Sequence, residues 1–131
     1  MEAASPFAVF EGQKYLNLET FRKNGQGVDT PVWFASDPLI GAPQKLYVYS
    51  TADSGKAKRI RNNPRVRVAP CDARGKLRGD WVEARAEIIT GAEAEHGVRL
   101  LNRKYIPWKQ ILNFFSLLSR RKRVAFAIHP A

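Results

Sequence analysis

The sequence predicts a mainly β, α+β domain: an antiparallel barrel with short helical insertions, not a doubly wound sheet. Three observations predict it. Candidate elements run as three strands, a short helix, two strands, helices and a final strand, without the β-α alternation of a parallel sheet. Turn signals cut the chain at short intervals, Asn24-Gly25 being the strongest. The length of 131 residues, with 44% hydrophobic content, suits one core and is too short for two comfortable ones.

Residues 1–13 read as an N-terminal arm, rich in small residues and broken by Pro6 and Gly12. Phe7, Val9 and Phe10 offer it a grip on a single domain spanning 14–131. Lys14 to Lys23 alternates weakly, with Leu16 and Leu18 on one face. Asn24-Gly25-Gln26-Gly27 is a turn, and Val28 to Ala35 returns from it with Val28, Thr30, Val32 and Phe34 on one face. Pro31 has no N–H for a ladder, so this strand belongs at a sheet edge or a bulge. Ser36 to Pro43 is a Gly/Pro-rich loop.

Lys45 to Thr51 is a third strand. Asp53-Ser54-Gly55 breaks it and starts a short helix that Asn62-Asn63-Pro64 ends. Arg65 to Cys71 and Trp81 to Thr90 are the fourth and fifth strands, joined by a basic, glycine-bearing hairpin, Asp72 to Asp80. Thr90 and Glu93 have capping-box spacing for the next helix, which ends on Arg99, Arg103 and Lys104 as the helix dipole prefers. Pro107 opens another helix to about Ser119, and Val124 to Ile128 is the final strand.

The formal net charge of +10 implies an anionic partner: nucleic acid, a membrane surface or an acidic small molecule. Cys71 is the single cysteine, so no intrachain disulfide forms, which fits a reducing cytosol. No segment approaches the ~18 apolar residues of a spanning helix, and Met1 to Phe10 lacks the pattern of a secretory leader. The expectation is a soluble cytoplasmic protein without stable membrane insertion.

The segment from Tyr49 to Pro64 carries the most chemical information. Lys56 and Lys58 fall in the first turn of its helix, where partial positive charge and unpaired N–H groups make cations unfavourable. A bound anion would remove that conflict. Ser50, Thr51 and Ser54 offer hydroxyl donors, Gly55 permits close backbone approach, and the lysines supply charge; together these suit a phosphate. The plainer alternative is a solvated basic face on a short surface helix.

Lys45 to Thr51, followed by Lys56, Arg59, Ile60, Asn63-Pro64 and Val66, resembles the cofactor-phosphate segment of the pyridoxamine 5'-phosphate oxidase-like flavoproteins. More narrowly, the chain resembles their branch that uses the deazaflavin coenzyme F420. Supporting pieces are Tyr15-Leu16 through Thr20-Phe21-Arg22-Lys23-Asn24-Gly25, then Thr30-Pro31-Val32-Trp33-Phe34. Ala69-Pro70-Cys71-Asp72 with Arg74-Gly75, and Arg123 to Ile128, complete the series. The order and spacing of these pieces extend over nearly the whole chain from Lys14.

The resemblance implies a split β-barrel of the FMN-binding type with short helices, assembled as a homodimer with the cofactor between subunits. Thr30, Pro31, Val32 and Trp33 would flank the ring, and Ser50, Thr51, Lys56 and Lys58 would hold the phosphate. Trp81 would pack on the ring from the facing subunit, or else serve only as a barrel residue. FMN oxidases commonly place arginine where this chain has Gly55, and lysine near Ala35; these are two departures from them. Arg59, Arg61, Arg65, Arg67, Arg74, Lys76 and Arg78 form an excess of charge able to receive the coenzyme's glutamyl tail.

The implied activity is hydride transfer between reduced F420 and a small unsaturated substrate, with no metal and no catalytic triad. The alternatives are an FMN-binding oxidase or reductase of the same fold, or a non-catalytic cofactor- or nucleic-acid-binding protein. Tyr47 and Tyr49 alternate in a strand as a base-stacking surface would, without a recognisable RNA-binding motif. Cys71 and His129 stand apart and read as structural, and His96 lies on a charged helix with no metal-ligand partner at useful spacing. Ile111, Leu112, Phe115 and Leu118 form a helix stripe for core or dimer packing, beside the basic run Arg120 to Arg123.

Overall fold

The computed structural model describes residues 6–36, 45–51, 54–105 and 123–131. β1 (Tyr15–Phe21) sends Leu16, Leu18 and Thr20 into the core by the two-residue period of a strand. At the turn, Gln26 N–H donates to the Asn24 side chain at 2.9 Å and Gly25 takes φ +88°, a left-handed value that favours glycine. β2 (Gly27–Trp33) returns antiparallel, with Pro31 opposite Asn17. It lies at the edge of the sheet, as Pro31 requires.

β3 is short (Ala35–Ser36) and pairs with β4 (Leu46–Thr51). β5 (Arg65–Cys71), β6 (Val82–Ile89) and β7 (Arg123–Pro130) complete a seven-stranded sheet in the order β2-β1-β5-β6-β7-β4-β3. Every pairing is antiparallel. The two ends of that order, β2 and β3, are separated along the chain by Phe34 alone. A sheet whose opposite edges are joined by one residue must curl on itself, and the result is a split β-barrel. At the seam there is no ladder between β2 and β3.

α1 (Gly55–Asn62) closes one end of the barrel by burying Ala57 and Ile60 in the core. Its start is set by Ser54, whose Oγ accepts the Ala57 N–H at 3.1 Å. Its end is set by Asn63 in extended conformation before Pro64. Replacing Ser54 by alanine costs about 1 kcal/mol of stability, measurable as a shift of the urea midpoint; an unmoved midpoint would show that the cap contributes nothing.

The segment read from sequence as an arm contains a 3-10 turn, Pro6–Phe10. Phe7 is 0% and Phe10 2% exposed, whereas Val9 is 49% exposed. Phe10 meets both Phe7 and Phe34 edge-on at 5.7 Å between centroids. A second apolar cluster lies on the outer side of β4 and β7, where α2 (Gly91–Tyr105) places Leu100 and Leu101 against Tyr47, Ala125 and Ala127.

Two sequence expectations change here. The Glu93 carboxylate does not turn back to close a capping box with Thr90. It reaches β4, accepting from Lys45 at 2.6 Å and from the Tyr47 hydroxyl at 3.2 Å, and Lys45 holds its pKa below the usual range. Tyr47 is 2% exposed and therefore offers no face for base stacking. The expected helix from Pro107 to Ser119, its Ile111, Leu112, Phe115 and Leu118 stripe, and most of the Ser36–Pro43 loop lie outside the described residues. Among the described residues, no helix is long and apolar enough to cross a membrane.

Candidate functional site

Three elements converge at the barrel end that α1 covers. β4 delivers Ser50 on its inward face, α1 delivers Ser54, Gly55, Lys56 and Arg59, and β1 delivers Thr20 and then Arg22. Ser50 Oγ donates to or accepts from Ser54 Oγ at 3.1 Å, so the two hydroxyls are linked. Arg59 lies across from α1 to β1, its Nε donating to Thr20 Oγ1 at 2.5 Å. Thr20 is fully buried, and the bond fixes the guanidinium over the first turn of α1. A Cβ at position 55 would stand 2.8 Å from Arg59 Nη1, so glycine there leaves the arginine its place.

The electrostatics are those of a cationic cluster without an acidic partner among the described residues. Lys56 is half-buried, and burial first, then Arg59, lowers its pKa. Burial, then Arg22, likewise lowers the pKa of Arg59. The first turn of α1 contains no acidic residue, and none of these three cations has an ion pair among the described residues. The first intrahelical donor is Lys58, bonded to Ser54 O at 3.1 Å, so the N–H groups of Gly55 and Lys56 precede the helical ladder. Positive charge, backbone donors ahead of the helical ladder and hydroxyls are the donor set that an anion would suit.

The residues singled out in the sequence separate as follows. Ser50 and Lys56 belong to this pocket, while Lys58 is exposed on the outer side of α1. Thr51 ends β4, and its side chain lies outside the described residues. In β2, register divides the four residues between faces. Thr30 and Val32 stand opposite Leu18 and Leu16 on the core side, and Pro31 and Trp33 stand opposite Asn17 and Tyr15 on the outer side. Val28 faces Thr20, so Thr30 sits about 7 Å along the same ladder from the pocket.

Trp33 packs on the α2-side cluster. Trp81 is half-buried just before β6, with the Arg67 guanidinium 4.9 Å from its ring centroid. Within one chain Trp33 lies on β2 and Trp81 just before β6, three places along the sheet order.

Sequence reasoning missed Arg59 and Thr20 as partners in the pocket. The resemblance set Arg59 in the cofactor-phosphate segment and in the tail-receiving face, and Thr20 in a supporting piece, but no local pattern pairs the two. Two other members of that face are ion-paired, Arg65 with Glu83 at 2.7 Å and Arg67 with Glu19 at 2.5 Å. Arg74, Lys76 and Arg78 remain exposed on the β5–β6 hairpin.

Cys71 is buried, which pushes its thiol up to about 11 and keeps it unreactive. Iodoacetamide at pH 8 is expected to label the native protein far more slowly than the urea-unfolded chain; equal rates would contradict that burial. His129 is matched to Glu87 at 3.1 Å.

Residues 7–131, from the first core phenylalanine through β7, match the pyridoxamine 5'-phosphate oxidase family. The chain belongs to that family. The match takes in the barrel, the cationic cluster at the start of α1 and Phe7. No curated protein sequence matches the chain significantly.

Solved structures agree on the fold of this pyridoxamine 5'-phosphate oxidase family member. A conserved hypothetical protein of Mycobacterium tuberculosis, Rv2991, is 26% identical, with TM-score 0.67 over 93% of this chain and 76% of that one. An F420 reductase is 20% identical, with TM-score 0.60 over 100% of this chain and 95% of that one. The heme storage protein HutZ of Vibrio cholerae is 15% identical, with TM-score 0.65 over 92% and 84% of the two chains. Relatives of one fold thus bear names tied to different ligands, so function must be argued from the pocket.

Proposed function

We propose that this family member is an oxidoreductase that uses the deazaflavin coenzyme F420 to move a hydride to or from a small unsaturated substrate. It would work as a homodimer with the coenzyme between protomers. The observation that carries this reading is the cationic pocket of Arg22, Lys56 and Arg59 at the α1 N-terminus, which is acid-free among the described residues.

The donor set fits the phosphate of such a coenzyme. Ser50, Lys56, Arg59 and the first N–H groups of α1 would hold it, with Thr30 and Val32 further along the same face towards the ring. The bound coenzyme supplies the hydride chemistry. The chain supplies orientation, because its pocket is built on strands and a capped helix, and it supplies exclusion of water beside the apolar barrel. Pro31 and Trp33 face outward on the edge strand and Trp81 lies three places along the sheet order, an arrangement that supports a site completed by a second copy.

A flavin mononucleotide-binding oxidase or reductase is the second reading, and one observation favours it. The guanidinium of Arg59 occupies the space beside Gly55, where the FMN oxidases carry arginine. A charge absent from the sequence position is therefore restored by a residue one turn on. Separate fluorescence titrations of the purified protein with F420 and with FMN decide between the two. Micromolar or tighter binding of F420 with weak FMN binding is the expected result; the reverse selects the FMN reading, and binding of neither overturns both.

A further inference from the structure

We infer that Lys104 is a positioning residue for the ring-flanking strand, clasping the barrel seam at Phe34; this rests on the reading of β2 as that strand. Phe34 is the single residue through which the chain leaves β2 at one sheet edge and enters β3 at the other. Its neighbours are laddered, Trp33 to Tyr15 and Ala35 to Tyr47, but Phe34 belongs to neither ladder. Lys104, in the last turn of α2, reaches this residue twice. Its ammonium donates to the Phe34 carbonyl at 2.9 Å and lies 3.4 Å from the centroid of the Phe34 ring. One cation thereby holds both the backbone and the side chain of the seam residue.

The aromatic ring is 1% exposed and braced from the other side by Phe10, so it has little freedom to follow a loosened backbone. Trp33 is the next residue, and its register depends on where the chain crosses. Lys104 is exposed as a residue, but its ammonium is withdrawn from water, and burial lowers its pKa to about 7. An ammonium that donates to the backbone of the seam residue and also lies on its ring has a positional role that a solvated surface lysine lacks. Clasp and phosphate pocket involve different elements: α2 and the seam on one hand, α1, β1 and the end of β4 on the other.

The test uses the full chain at pH 6, where the ammonium is charged, and compares Lys104→Met and Lys104→Arg with the unaltered protein. Two probes are titrated by fluorescence: the complete coenzyme F420 and its deazaflavin chromophore without the phosphate-bearing tail. Lys104→Met is expected to weaken both by about 10-fold and to leave their ratio unchanged, since that ratio reports the phosphate pocket. Lys104→Arg, which retains charge and a donor, is expected to recover most of the loss. Equal affinity of Lys104→Met and the parent, a collapse of the ratio, or no recovery with arginine each overturns the clasp.

A second measurement reads the clasp without any cofactor. In a Trp81→Phe, Trp108→Phe background, acrylamide quenching of Trp33 should rise with Lys104→Met and return with Lys104→Arg. Should neither probe bind the parent protein, the proposed function falls while this quenching still judges the clasp; unchanged quenching overturns it. Phe34→Leu, which keeps the carbonyl and removes the ring, serves if Lys104→Met does not fold, and is expected to raise quenching in the same direction.

Discussion

Replacing Lys56 by alanine is expected to raise the dissociation constant of a phosphate-bearing deazaflavin or flavin by about 10- to 100-fold, the loss of one charge-assisted contact. Turnover at saturating cofactor should change little, because a contact to a non-reacting phosphate is made equally in ground and transition states. The same substitution should leave the unliganded protein no less stable. Lys56 is held half-buried against Arg59 at a helix N-terminus, where a cation is unfavourable, and alanine relieves both conflicts. Weaker binding with unimpaired stability is the signature of a residue kept for a ligand. A fluorescence titration and a urea melt on the same sample check it; unchanged affinity, or a loss of stability matching the loss of affinity, would remove the phosphate assignment.

Replacing Phe10 by alanine is expected to cost about 3–5 kcal/mol of unfolding free energy, the range for truncating a buried aromatic. Val9→Ala beside it should stay within about 0.5 kcal/mol, since Val9 is exposed. Phe10 links Phe7 to Phe34, so its removal leaves a cavity beside the seam as well as beneath the N-terminal turn. Chemical denaturation of the two variants gives the comparison directly. Similar small losses for both would mean that the turn only rests on the barrel.

These two residues mark how far the sequence could be read. The dipole conflict at Lys56 is a local fact: it needs only the helix start at Ser54 and the absence of an acid in the first turn. Pro31 likewise announces an edge strand, and Asn63-Pro64 a helix end, because each restricts its own backbone. The family resemblance added the barrel and the strand that would flank the ring. Phe10 was visible as an apolar residue in a segment without period, which says nothing about what it meets. Its partner Phe34 is too far along the chain for any pattern to show.

The same limit applied inside the site. Arg59 and Arg67 look alike in sequence, yet Arg67 is matched by Glu19 across the β1–β5 ladder, whereas Arg59 finds the neutral hydroxyl of Thr20 and has no ion pair among the described residues. Tyr47 looked like an exposed aromatic of an alternating strand, and α2 covers it.

By itself, then, the sequence determined where strands turn, where the short helix begins and ends, and that its first turn carries cations with no local reason to be there. Only the tertiary structure decided which cations lack an ion pair among the described residues, that opposite sheet edges meet at Phe34, and that the Arg59 guanidinium lies over Gly55. The reason is the range of the forces involved. Backbone restriction and capping act within a few residues, whereas burial, charge pairing and sheet closure depend on neighbours that only folding brings together.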